Sequence, residues 1–160
     1  MLKSQDVLVD NIKRYYSVGS IRKVPVGFGI SHSVLLNWSG HRSSPSIMQL
    51  DSIAYEFNVS THLLLEREVD FSSSLSIYKV DLMGIEEIFY ENVGRLRYEC
   101  DINVIKFNEK MESKIGMTYR TYLAYVNRKR KRVNLAVLDK LARLYRVESS
   151  ELLKKRSEAR

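Results

Sequence analysis

Gly29-Ile-Ser-His-Ser-Val-Leu-Leu-Asn-Trp-Ser-Gly40 is echoed once later in the chain, as Gly116-Met-Thr-Tyr-Arg-Thr-Tyr-Leu-Ala-Tyr-Val-Asn127. In both stretches a glycine and an apolar residue lead into a hydroxyl residue, Ser31 or Thr118. Large side chains then follow six and nine positions after the glycine: Leu35 and Trp38 in one, Tyr122 and Tyr125 in the other. Glycine permits a tight turn, serine or threonine caps the helix that starts there, and a three-residue step stacks the large side chains on one inward face. The pattern is that of a helix-turn-helix.

The correspondence runs on. Leu50 to Val59 lies over Leu138 to Val147 at an offset of 88, whereas Gly29 and Gly116 differ by 87. One residue has therefore been inserted between, and the loop Arg128 to Val133 is its natural place, because a loop absorbs an extra residue more readily than a packed helix. Ser60 before Leu63-Leu64-Leu65 and Ser149 before Leu152-Leu153 read as two further start signals, so that each copy ends in a short apolar helix.

These elements resemble the lambda-repressor-like domain of phage repressors, Cro proteins and many bacterial regulators. The resemblance covers about two thirds of the chain, within Val7 to Glu66 and again within Ile85 to Lys155. Gly-Ile-Ser with Leu35 and Trp38, Pro45 before Ile47 and Leu50, Ile53-Ala54 and Val59-Ser60 carry it in the first copy. Gly-Met-Thr, Leu135, Leu138, Leu141-Ala142 and Val147 to Leu153 carry it in the second. The fold it implies is all-α, two tandem five-helix domains over 1–66 and 85–160 joined by a linker at 67–84. The function it implies is sequence-specific binding of double-stranded DNA by a transcriptional regulator, a repressor or similar switch of phage or bacterial origin.

Composition fits that expectation. The chain has 160 residues, 44% of them hydrophobic, and a net charge of +7. Two domains of about 60 to 70 residues would each bury only about 60% of their unfolded surface, so docking between the copies or homodimerisation is expected. No apolar run approaches the roughly 18 residues of a membrane span, and the N-terminal stretch with Lys3, Asp6 and Asp10 is unlike a signal peptide, so an intracellular, cytoplasmic protein is expected. The single cysteine, Cys100, reads as a half-buried helix-end residue. With only His32, His41 and His62 beside it, neither an internal disulfide nor a metal cluster is expected.

The charge is unevenly divided. Residues 1–84 hold eight basic and eight acidic side chains, and residues 85–160 hold 18 and 11, which is the whole excess. A small domain with all the surplus positive charge is the footprint of a polyanion partner.

In the first copy helix one is expected from Gln5 to Tyr16 and helix two from Ser20 to Phe28, with Val24 and Phe28 inward. Pro25 sits inside that second helix, where it costs about 3 kcal/mol, so the helix is expected to be short, displaced or to begin near the proline. Recognition helix Ser31 to Trp38 turns His32, Ser33, Leu36 and Asn37 outward. Ser33 and Asn37 suit base edges, His32 a phosphate, and Arg42 in the following loop a phosphate. Trp38 falls in the inward series. Two roles stand for this copy, reading DNA or binding protein, and its neutral charge and Pro25 favour the second. Helices Ile47 to Phe57 and Thr61 to Glu66 complete its core. In the linker, Ser72 to Ser74 reads as a turn and Leu75 to Val80 as an extended segment.

The second copy opens with an amphipathic helix, Ile85 to Cys100, followed by a helix Phe107 to Ile115. Lys106, Lys110 and Lys114 recur every four residues as a basic ridge. In its recognition helix, Thr118 to Asn127, two registers fit. One turns Tyr119, Arg120, Leu123 and Ala124 outward; the other turns out Arg120, Thr121, Ala124 and Tyr125. Arg120 is outward in both, and a guanidinium can bind guanine bidentately, worth about 1–3 kcal/mol of discrimination. Asn127 suits a base, a phosphate or a cap. The run Arg128, Lys129, Arg130, Lys131 and Arg132 has no arrangement for internal pairing, so phosphates are its expected partners, with counterion release. The tail from Lys154 is expected to add nonspecific attraction.

Enzyme chemistry finds no support: there is no phosphate-cradling glycine loop, no spaced metal ligands and no carboxylate pair placed for acid-base work. No cofactor is expected. The competing class is a protein-binding module, such as an antitoxin or an inhibitor of a nucleic-acid enzyme, whose basic loop docks on an acidic partner.

Overall fold

A computed structural model describes residues 3–25, 30–71, 84–129 and 132–156. Its described residues are helical or irregular, with no strand beyond one isolated bridge. The α-helices are α1 (Ser4–Tyr16), α2 (His32–Ser39), α3 (Ile47–Phe57), α4 (Ile85–Glu99), α5 (Glu109–Ile115), α6 (Tyr119–Val126) and α7 (Leu135–Tyr145). Short 3-10 helices lie at Ile21–Lys23, Thr61–Leu65 and Ser149–Leu153. The terminal helices expected in each copy are therefore 3-10 turns rather than α-helices.

Local chemistry sets the helix ends. The Ser31 hydroxyl accepts from Val34 N–H at the start of α2, and the Thr118 hydroxyl accepts from Thr121 N–H at the start of α6. Ser46 and Gln49 form a reciprocal capping box at α3, and the Asn134 side chain does the same job alone at α7. Such caps contribute about 1 kcal/mol each. Both α3 and α7 end in a left-handed residue, Asn58 (φ 55°) and Arg146 (φ 57°). The start signals expected at Ser60 and Ser149 act differently: Ser149 lies inside its 3-10 turn and donates to Asp139 Oδ1 at 2.7 Å, as Thr61 donates to Asp51 Oδ1 at 2.8 Å.

The second helix, expected within Ser20 to Phe28 to be short, displaced or to begin near the proline, is described as far as Pro25. Among the described residues of that span only Ile21–Lys23 is helical, and Val24 is extended (φ −69°, ψ 127°). The cause is Pro25, whose ring excludes the α conformation from the residue before it. Val24 is buried, as expected, whereas Phe28 and Gly29 fall outside the described residues. The linker turn and extended segment, Ser72 to Val80, fall outside them as well. Phe71, at the linker's start, packs edge-on to Tyr15 and Phe57.

Inside each half a buried asparagine fastens the first helix to the last turn. Asn11 Nδ2 donates to the Leu64 and Glu66 carbonyls at 2.9 and 2.8 Å; Asn92 Nδ2 donates to those of Leu152 and Lys154 at 3.0 and 2.9 Å. The halves then dock on each other. Ile47 N–H donates to Val133 O and Leu135 N–H to Pro45 O, both at 2.9 Å, around an antiparallel bridge between Ser46 and Asn134. Helix α1 packs on α7, α3 on α4, and the two final 3-10 turns on each other. One apolar core runs through both halves, with Leu8, Leu35 and Ile53 fully buried in the first and Leu135, Leu138 and Leu152 in the second.

The inserted residue can now be placed. His41 (φ 58°) and Arg128 (φ 60°) share a left-handed turn 87 residues apart, while the bridged Ser46 and Asn134 are 88 apart. The extra residue lies between Arg128 and Asn134.

Candidate nucleic-acid interface

Helix α6 is held by its tyrosines. Tyr122 is fully buried and Tyr125 nearly so. The Tyr122 ring stacks on Phe107 at 5.2 Å, and its hydroxyl meets that of Tyr145 at 2.8 Å. Burial pushes both phenols above their ordinary pKa, Tyr145 far more strongly. With Tyr125 inward, the register anchored on Gly116 is the observed one, and the alternative that turned Tyr125 outward is excluded.

Arg120 stands exposed on the opposite face. Its predicted companions differ from it. Tyr119 is half-buried, its ring 5.4 Å from Phe107 and its N–H donating to Glu112 Oε1, so it belongs to the aromatic cluster more than to the surface. The Thr121 hydroxyl bonds that of Thr118 at 3.1 Å, which ties it to the cap. Ala124 is half-buried, and Asn127 is exposed as the C-cap of α6.

The basic groups divide likewise. Lys110 and Lys114 are exposed on α5, but Lys106 precedes the helix and is engaged, its ammonium 3.3 Å from Cys100 O and 3.5 Å from Asp101. The ridge is thus two lysines long. Arg128, expected to lack an internal partner, pairs with Glu87 at 2.9 Å and lies 4.7 Å above the Tyr90 ring. Lys129 and Arg132 are exposed; Arg130 and Lys131 lie outside the described residues. Lys154 is committed as well, 3.7 Å from Glu66 and 3.6 Å from Glu151. Lys140 was missed: on α7 it reaches beside Gly116 and lines an open groove with Thr118 and Thr121. Its signal was a lysine interrupting the apolar stripe of α7.

In the first half, Trp38 is core, as its place in the inward series required. His32 does not point at solvent for a phosphate: its Nε2 bonds the Val24 carbonyl and braces the segment before Pro25. Leu36 and Asn37 are half-buried, leaving Ser33 and Arg42 as the exposed members of the expected set. The buried Gln5 donates to Trp38 O at 2.6 Å and Ser43 O at 2.8 Å, fixing the loop that bears Arg42. In that loop His41 pairs with Asp6 at 2.8 Å, the counterpart of Arg128 with Glu87.

Among the described residues no group of three or more His, Cys, Asp or Glu side chains could hold a metal, and no helix is long and apolar enough to cross a membrane. Cys100 is a half-buried C-cap whose Sγ sits 3.9 Å from Tyr145 O. Compared with protein-family models, with curated proteins and with solved structures, the chain matches none.

Proposed function

We propose that the chain is an intracellular transcriptional regulator built from two tandem five-helix, lambda-repressor-like helix-turn-helix domains, 1–66 and 85–160, and that it binds double-stranded DNA in a sequence-specific way without a cofactor or catalysis. One observation supports this most: Arg120 stands alone as a long, exposed donor on the outer face of a helix whose inner face is locked by Tyr122 and Tyr125. Lys110, Lys114, Lys129 and Arg132 supply exposed cations on the neighbouring α5 and loop. On this reading Arg120 enters the major groove and those cations hold phosphates.

The first domain contributes less to reading. With His32 engaged and Asn37 half-buried, Ser33 and Arg42 are its exposed contacts, and its α1 and α3 pack on helices of the second half.

Duplex affinity at two salt concentrations, on random sequence and on the gene's own upstream region, tests the reading. Steep salt dependence, preference for the upstream region and loss of that preference in Arg120→Ala are the expected results. Weak, salt-insensitive binding without preference, together with a stoichiometric protein complex that survives without DNA, would instead assign an antitoxin-like or inhibitor role.

A further inference from the structure

The backbone hydrogen bonds and helix packing between the halves map onto themselves when the halves are exchanged, with side-chain contacts such as Ser4 N–H to Asp139 Oδ2 and Ala136 N–H to Ser44 Oγ, both at 3.2 Å, added on top. Ile47 N–H to Val133 O becomes Leu135 N–H to Pro45 O, because 47 corresponds to 135 and 45 to 133. The bridge Ser46 to Asn134 becomes itself. Packing of α1 on α7 becomes packing of α4 on α3, and the two final 3-10 turns exchange places. The internal bonds of the halves exchange too: Asn11 with Asn92, Thr61–Asp51 with Ser149–Asp139, and His41–Asp6 with Arg128–Glu87. An interface of this kind is isologous, the type that a two-fold axis generates. Here the axis passes between Ser46 and Asn134, inside one chain.

Helices α2 and α6 are related by that axis. A two-fold rotation leaves height along the axis unchanged and reverses directions across it, so the two helices lie at one level, their in-plane directions are opposed, and whatever part of their outer faces points along the axis points to one common side. B-form DNA has local two-fold axes of its own, and readers related in this way meet half-sites in inverted order. A direct repeat would require a translation that this interface does not contain. The readers are nevertheless chemically unlike: Ser33 and Arg42 are exposed in the neutral half, and Arg120, Lys129 and Arg132 in the half that carries the +7.

Resting on the reading above, we propose that one chain does the work of a repressor dimer: a single molecule spans two unlike half-sites in inverted order on one duplex, with the internal bridge in place of a subunit interface. The half-site spacing is fixed, because two backbone hydrogen bonds and a continuous core set the distance between readers.

Selection of duplexes from a library with about 30 random base pairs, roughly three helical turns, tests this directly. The expected product is an asymmetric site of two different half-sites in inverted order, bound by one chain per duplex in native mass spectrometry. Arg120→Ala should flatten the preference in one half-site only, and Ser33→Ala in the other. Inserting about five base pairs between the half-sites turns one by half a helical turn and should cost more than tenfold in affinity. Two chains on a palindrome, a direct repeat, or a single half-site that tolerates the insertion would overturn the proposal and leave DNA reading intact. Failure to enrich any sequence would overturn both.

Discussion

The guanidinium of Arg128 donates to Glu87 Oε1 at 2.9 Å while its Cζ lies 4.7 Å above the ring of Tyr90, so the first residue of the basic run is held against α4. An engaged cation has its negative partner already and releases fewer counterions on binding phosphate. Arg128→Ala should therefore reduce the salt dependence of duplex binding less than Lys129→Ala or Arg132→Ala, each of which should lower the slope by about one. Glu87→Gln should steepen it by freeing Arg128. Slopes of log affinity against log salt for the four variants check this, and an Arg128→Ala effect equal to the other two would show that the pair opens on DNA.

Tyr122 and Tyr145 share one buried hydrogen bond, so they should behave as a unit. Tyr122→Phe or Tyr145→Phe alone leaves the partner hydroxyl unpaired and should cost about 1–3 kcal/mol, whereas the double change should cost little more than either single one. The pair also has a pH signature. Burial raises both phenols above the unfolded value of about 10, so the folded state holds these protons more tightly. Their stabilisation is complete below about pH 10 and is lost as pH rises above it, once the unfolded chain ionises. Urea midpoints from about pH 8 to 11 should fall less steeply for the double Phe variant than for the wild type.

Much of the architecture was legible because it rests on local rules. The caps Ser31 and Thr118, the inward Leu35, Trp38, Tyr122 and Tyr125, and the span Ile47–Phe57 follow from spacing alone, and the place of the inserted residue follows from two offsets. Pro25 announced trouble in the second helix, though spacing could not tell a shortened helix from a displaced one. What stayed hidden was set by partners distant in sequence. Nothing near Arg128 names Glu87, nothing near His32 names the Val24 carbonyl as its use, and Tyr119 looks as outward as Arg120 until Phe107 folds beside it. The Ser46 to Asn134 bridge was hidden for the same reason, although the 88-residue offset that relates its two ends was in plain view.

Asn11 and Asn92 offer a test of the equivalence between halves. Each is almost fully buried and donates to carbonyls of its own final turn. Asn11→Ala and Asn92→Ala should each destabilise by about 2–3 kcal/mol, by similar amounts, since each leaves buried carbonyls unsatisfied and opens a small cavity. Asn11→Asp should be worse than Asn11→Ala, because it turns an acceptor toward acceptors. Denaturant titrations measure all three; a cost for either alanine below about 0.5 kcal/mol would mean that water replaces the amide.

The chain has one tryptophan, Trp38, and it is buried in the first half, whereas Tyr122 and Tyr145 lie in the core of the second. Fluorescence of Trp38 thus follows one half, whereas near-ultraviolet dichroism in the tyrosine region draws on both, since Tyr15 and Tyr16 sit in an aromatic cluster of the first. Because the core is continuous and the halves share two backbone hydrogen bonds, unfolding should be a single cooperative transition in which both signals and helical content coincide. Leu138, fully buried in α7, is the lever: Leu138→Ala should cost about 3–5 kcal/mol. If the halves are one unit, that cost in the second half moves the Trp38 transition in the first by the same amount. A Trp38 midpoint unmoved by Leu138→Ala would show that the halves fold independently, and would weaken the case for a fixed spacing between α2 and α6.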